Sequence, residues 1–175
     1  MERFRSGDDA AFDELYRLMH KRIYRFALRL TGDTQDAEDV TVQTFSEAYR
    51  GRMSFQGASR IETWLYRISV HLGARLRNAR RHHEMPGVET EDRSGQRHVE
   101  ELEVSEMILQ LPLKLRTAFV LVKVEGLTHK EAAEILGRRL GTVQSQVFDA
   151  CKILRHQLTA DMIPVVRDHP ERCVL

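Results

Sequence analysis

Eight arginines, at positions 50, 52, 60, 67, 75, 77, 80 and 81, fall between Arg50 and His83 against a single acid, Glu62. Guanidinium groups at this density neutralise phosphate, and each phosphate contact steepens the salt dependence of binding to a nucleic acid. The stretch before them has the opposite sign: Asp33, Asp36, Glu38, Asp39 and Glu47 occur with no Lys or Arg before Arg50. Adjoining segments of opposite charge give one small domain two faces with different partners; a plain solvated face on each helix is the alternative.

A second group lies in 127–158. Thr128 with Glu131 forms a capping box, Ala132, Ala133, Ile135 and Leu136 give a short apolar face, and Gly137 suits a left-handed helix end. Val143, Val147, Ala150, Leu154 and Leu158 then recur at helical spacing. A short helix, a Gly-containing turn and a longer helix make the helix-turn-helix pattern. In that motif the second helix enters the major groove and its first residues meet base edges; a structural helix pair is the alternative.

Helices must position these groups. Phe12, Leu15, Met19, Ile23, Phe26 and Leu30 predict a helix from about Asp8 to Leu30, capped by Asp8 or Asp9 and ended by Gly32. Ala37, Val40, Thr44, Phe45 and Ala48 predict a second over about 34–50, with Gly51 as its stop. Ile61, Leu65, Ile68, Leu72 and Leu76 predict a third over about 62–81. From Glu84 to Glu106 eight acids face only Arg93 and Arg97, and 84–100 lacks helical periodicity, as an extended or disordered linker would. Such a stretch averages about 23 Å end to end as a flexible coil and reaches about 60 Å when extended. Beyond it, Leu102 to Leu111 and Lys114 to Glu125 predict two short helices ahead of the helix-turn-helix. No strand pattern persuades, although Ala118 to Val124 is β-rich in composition. The expectation is an all-α chain of two small helical domains, 1–83 and 101–160, joined by a flexible acidic linker at 84–100 and followed by a tail at 161–175.

The 175 residues carry a formal net charge of only +1, so a nucleic-acid footprint is local. Cys151 and Cys173 lie far from metal-ligand spacing, and no disulfide framework, zinc signature or other cofactor motif is present. A Gly-rich phosphate loop and a nucleophile motif are likewise missing, which argues against an enzyme. His82-His83 sits in a basic run as a phosphate-facing or solvated pair. No apolar run approaches a bilayer span and the N-terminus lacks a signal-peptide pattern, so a cytoplasmic protein is expected.

Asp36-Ala37-Glu38-Asp39 followed by Thr44-Phe45 resembles the acidic helix of region 2 in bacterial RNA polymerase sigma factors, and Thr63-Trp64-Leu65-Tyr66-Arg67-Ile68 resembles the helix after it. Leu111-Pro112, Glu125-Gly126-Leu127 and Gly141-Thr142-Val143 with Ser145 resemble region 4. In this order, over 8–158, with a short linker between, the chain is similar to the extracytoplasmic-function (ECF) subfamily of the sigma-70 family. The resemblance implies a non-enzymatic initiation factor that binds core polymerase through its β′ and β subunits, recognises promoter DNA, and is held by an anti-sigma factor, often membrane-bound. A free-standing helix-turn-helix regulator that never joins polymerase is the competing reading; it would need neither the acidic helix nor a separate basic one.

By this resemblance Asp36, Glu38, Asp39 and Gln43 would dock on the polymerase. Arg52, Phe55, Arg60, Trp64, Arg67, His71, Arg75, Arg77, Arg80 and Arg81 would hold the −10 region, with the loop from Phe55 to Arg60 as a pocket for a flipped base. Trp64 serves either as a stacking platform, which returns about 1–3 kcal/mol per base, or as a core aromatic. Arg138, Arg139, Thr142, Gln144, Ser145, Phe148 and Lys152 would read the −35 element; Gln pairs with adenine and an aromatic contacts a thymine methyl. The chain departs from the family where Val42 and Gln43 replace a Gln-Glu pair. His71 stands for Asn, Arg75 for Asp, and Gln144, Gln146, Asp149 and Cys151 where basic residues are usual. Weakened base contacts in region 4 would leave it reliant on tethering to the other domain, since linked sites act at millimolar effective concentration.

Overall fold

Asp8 settles the start of the first long helix: its carboxylate accepts from the Ala10 and Ala11 amides at 2.9 and 3.3 Å. In the computed structural model, which describes residues 2–57, 59–83 and 102–161, this helix, α2, runs Asp9–Thr31 and ends at Gly32 in the left-handed conformation, φ 77°. A four-residue helix α1, Glu2–Arg5, precedes it and was not legible in the sequence. Asp33 caps α3, Thr34–Gly51, by accepting from the Asp36 amide at 2.8 Å. A tight turn over Arg52–Ser54 leads towards α4, Ile61–His83. The other helices are α5, Leu102–Gln110, α6, Leu113–Phe119, α7, His129–Leu136, and α8, Leu140–Asp161. There is no strand among the described residues. The linker 84–100, Glu101 and the tail from 162 lie outside them.

The helix expected over 114–125 is the main local surprise. It is α-helical only to Phe119 and then widens into a π turn over Val120–Val124, where the Glu125 amide donates to Val120 O at 2.9 Å. β-Branched residues fit a helix interior poorly, and the wider turn seats Val120 and Leu121 fully buried while turning Glu125 inward. Gly126, φ 75°, reverses the chain into α7.

The helix-turn-helix has both ends fixed. Thr128 accepts from the Glu131 amide at 3.2 Å while Glu131 accepts from the Thr128 amide at 2.8 Å, completing the box. Gly137, φ 60°, closes α7, and Arg139 O accepts from the Thr142 and Val143 amides as α8 begins. The hydrogen bonds from Thr128 hold the Glu131 carboxyl below its ordinary pKa of 4.5. Its contribution is therefore complete above that pH and is lost as the pH falls through the lower folded value. Thr128→Ala should cost about 1 kcal/mol in urea unfolding at pH 7. The stability gap between wild type and Glu131→Ala should shrink as the pH is lowered below 4.5.

In the first domain α2, α3 and α4 pack around Ile23, Phe26, Phe45, Leu65 and Tyr66; in the second α6, α7 and α8 pack around Leu121, Ile135, Val143 and Val147. These form one apolar cluster, because α7 lies against α4, and α5 and α6 lie against α2. The sequence shows two domains and a linker; it gives no sign that they share a core.

Candidate nucleic-acid interface

On α3 the outward face is acidic. Glu38, Asp39, Val42 and Gln43 are exposed, and the 38/42 and 39/43 pairs are one helical turn apart, so they form one patch with a bare aliphatic residue, Val42, at its middle. Asp36 is not part of it. At 6% exposure, with its amide tied to Asp33, it faces the interior and lines the cleft between the domains. The expected docking surface loses that member because residue 36 falls on the buried face with Ala37 and Val40.

On α4, Arg60, Trp64, Arg67, His71 and Arg75 form a stripe at three-to-four spacing. Arg60, His71 and Arg75 are exposed and Trp64 and Arg67 half-buried. Arg60 is 3.3 Å from Glu62 and Arg75 is 3.6 Å from Glu47 of α3. At such exposure these pairs are weak, and both cations can turn to phosphate. Arg80 and Arg81 lie in the last turns of α4; their side chains are outside the described set.

Three expected members of this face are used otherwise. Phe55 is 5% exposed and sits in an aromatic knot with Phe4 and Trp64, ring centroids 6.3 and 5.0 Å away. Phe4 also meets Trp64 edge-on at 6.3 Å. A Cβ on Gly51 would come within 3.4 Å of the Trp64 ring, so the glycine makes room for it. Phe55 is thus core and no part of an exposed base pocket, and Trp64 takes its alternative role as a packed aromatic. Arg52 lies 3.7 Å over the Tyr49 ring, donates to Tyr49 O at 2.7 Å and is 3.7 Å from Asp9, which makes it a clamp on the end of α3. Arg77 points into the interdomain cleft with Arg116 and Arg138, a space of about 280 Å³. Burial, then the charge of Arg77, lowers the Arg116 pKa.

On α8, Thr142, Gln144, Ser145, Phe148 and Lys152 are exposed on one side while Val143, Val147 and Ala150 are buried on the other. Phe148 is 70% exposed, a large apolar ring presented to solvent on a polar face. Arg139 is exposed in the turn. Arg138 is instead half-buried and donates to Gln146 Oε1 at 2.8 Å. That bond accounts for one departure from the family pattern: Gln146 supplies an acceptor where a basic residue would repel Arg138.

Comparison with known proteins agrees with this geometry. The family model for sigma-70 region 2 matches residues 15–82 and that for sigma-70 region 4 matches 101–154. The RNA polymerase sigma-H factor of Pseudomonas aeruginosa is 33% identical over 96% of this chain and 94% of its own length. The ECF RNA polymerase sigma factor SigW of Bacillus subtilis is 31% identical over 90% and 94%. Among solved structures, the sigma factor RpoE of Bartonella quintana, in complex with the anti-sigma factor NepR, superposes with a TM-score of 0.75 at 25% identity over 86% of this chain and 98% of that one.

Proposed function

This chain belongs to the sigma-70 family of RNA polymerase sigma factors, in its ECF branch, non-enzymatic factors that direct core polymerase to promoters, and we propose that three of its surfaces divide that work. The Glu38–Asp39–Val42–Gln43 patch docks on a basic surface of core polymerase. The Arg60–Arg67–His71–Arg75 stripe holds the −10 strand by its phosphates. The exposed face of α8, with Arg139, reads the −35 element: Gln144 and Ser145 by hydrogen bonds, Phe148 by apolar contact with a thymine methyl, Lys152 by phosphate contact. The domains are 1–83 and 101–160 with 84–100 between, working in the cytoplasm beside the polymerase. An anti-sigma factor is a further partner, as it is for the Bartonella relative.

The observation that carries this reading is the pairing of an exposed acidic patch on α3 with an exposed basic stripe on α4 in one three-helix unit, beside a helix-turn-helix. A free-standing DNA-binding regulator has no use for the first two. Gel filtration of the chain with bacterial core polymerase tests it: co-elution is expected, and separate elution returns the chain to the regulator reading. Lys152→Ala should weaken binding of the polymerase complex to different promoters by similar factors and flatten its log–log salt slope by about 0.9. Gln144→Ala should change the preferred −35 sequence and leave the slope alone.

A further inference from the structure

Glu125 ends the π turn of the second domain, 8% exposed despite its charge. Its partners come from the first domain. Arg22 Nε donates to its Oε2 at 3.1 Å, and another Arg22 nitrogen donates to its main-chain oxygen at 2.7 Å. The Tyr66 hydroxyl donates to the same Oε2, and Arg29 comes within 3.9 Å of Oε1. The Arg22 guanidinium also lies 5.8 Å from the Tyr66 ring centroid. A carboxylate taken this far from water is tolerable only when paired and hydrogen-bonded. Both phases of this interface, the ionic pin and the apolar cluster around it, exist only while the domains are together.

That arrangement conflicts with two-element promoter binding. With the domains closed, α7 of the helix-turn-helix lies on α4, and Arg77 and Arg138 share one cleft. Promoter elements at −10 and −35 are roughly 25 base pairs apart, about 85 Å at 3.4 Å per pair, so helices in direct contact cannot serve both. Residues 84–101, fully extended, reach about 60 Å, which with the domains' own dimensions is enough to span the gap.

We propose that Glu125 is the pin of a closed, self-inhibited form, received by Arg22, Arg29 and Tyr66 on the first domain, and that polymerase with promoter must withdraw it from that site. This rests on the sigma reading for the second half only; the closed form itself is a property of the free chain. The apparent affinity of a protein whose competent state is partly populated falls by that fraction, so loosening the pin raises affinity for promoter.

The test measures the radius of gyration of the free full-length chain by small-angle X-ray scattering, and its retention with core polymerase on promoter DNA. Variants are Glu125→Gln, Tyr66→Phe and the swap Arg22→Glu with Glu125→Arg, each checked for helix content by circular dichroism. Glu125→Gln and Tyr66→Phe should expand the chain by about 20% or more and raise promoter retention severalfold, and the swap should recover compactness relative to either of its single changes. Tyr66→Phe, which loses only a hydroxyl, decides the matter if Glu125→Gln loses helix content. Unchanged dimensions in the variants would overturn the pin; expansion with no gain in retention would overturn the inhibition. Failure of the wild type to bind core polymerase would instead sink the sigma reading while the scattering result still judged the pin.

Discussion

Reversing the acidic patch, with Glu38→Lys and Asp39→Lys together, should reduce affinity for core polymerase by about 100-fold or more while leaving the fold intact. Both side chains are exposed, and neither has a hydrogen bond or ion pair among the described contacts, so the change removes nothing that holds α3 in place. The helix is anchored on its other face by Ala37, Val40, Thr44, Phe45 and Ala48. Losing one member of a charge pair in an interface costs about 2–5 kcal/mol, and each 1.4 kcal/mol is tenfold in affinity; two reversals add like-charge repulsion to that loss. Competition binding against an unrelated sigma factor would measure it, with circular dichroism to show unchanged helix content. Val42→Ser, between the two acids, should give a smaller loss, since it removes one aliphatic contact and no charge. Equal binding by the double lysine variant and wild type would move the docking site off α3.

Phe55→Ala should lower the stability of the first domain by about 3–5 kcal/mol, the range for emptying a buried aromatic site. Against a typical total of about 5–15 kcal/mol, that is enough to leave a sizeable fraction unfolded at growth temperature. Phe55 is closed over by Phe4 and Trp64, and Phe4 stacks in turn on Phe12, ring centroids 6.3 Å apart. The void would thus be lined by rings too rigid to collapse into it. Urea unfolding followed by fluorescence is well placed to report this, because Trp64 is the chain's single tryptophan and lies in the same knot. The other role for Phe55, stacking on a base flipped from the −10 strand, predicts the reverse: stability within a few tenths of a kcal/mol of wild type, with promoter opening lost.

The elements were legible where a 3.6-residue period ran for several turns. α2, α3 and α4 fall within two residues of the expected limits because Ile23, Phe26 and Leu30, then Val40 and Phe45, then Leu65 and Leu72, mark their inward stripes without interruption. The capping box at Thr128 and the left-handed Gly32 and Gly137 were readable for the same reason: each depends on neighbours in sequence. What required the folded chain was long-range. Phe4 belongs to a helix of four residues, too short to show a period, and its value comes from rings 51 and 60 positions away. Asp36 looked like part of an acidic surface because a sequence lists charges without their directions. Arg22, Tyr66 and Glu125 are 59 and 103 positions apart in their pairings, and no local rule brings them together. Arg52 and Arg77 were counted with the phosphate-binding arginines by charge alone; the Tyr49 ring and the cleft beside Arg116 account for them instead.

The most direct test of the account is transcription from fragmented genomic DNA of the source bacterium by core polymerase, with and without the purified chain, with RNA 5′ ends mapped by sequencing. The account predicts a set of starts that depends on the chain, preceded by two short shared sequences at a constant spacing, and predicts that Gln144→Ala alters only the upstream one. Starts identical with and without the chain, or chain-dependent starts sharing no upstream sequence, would contradict it.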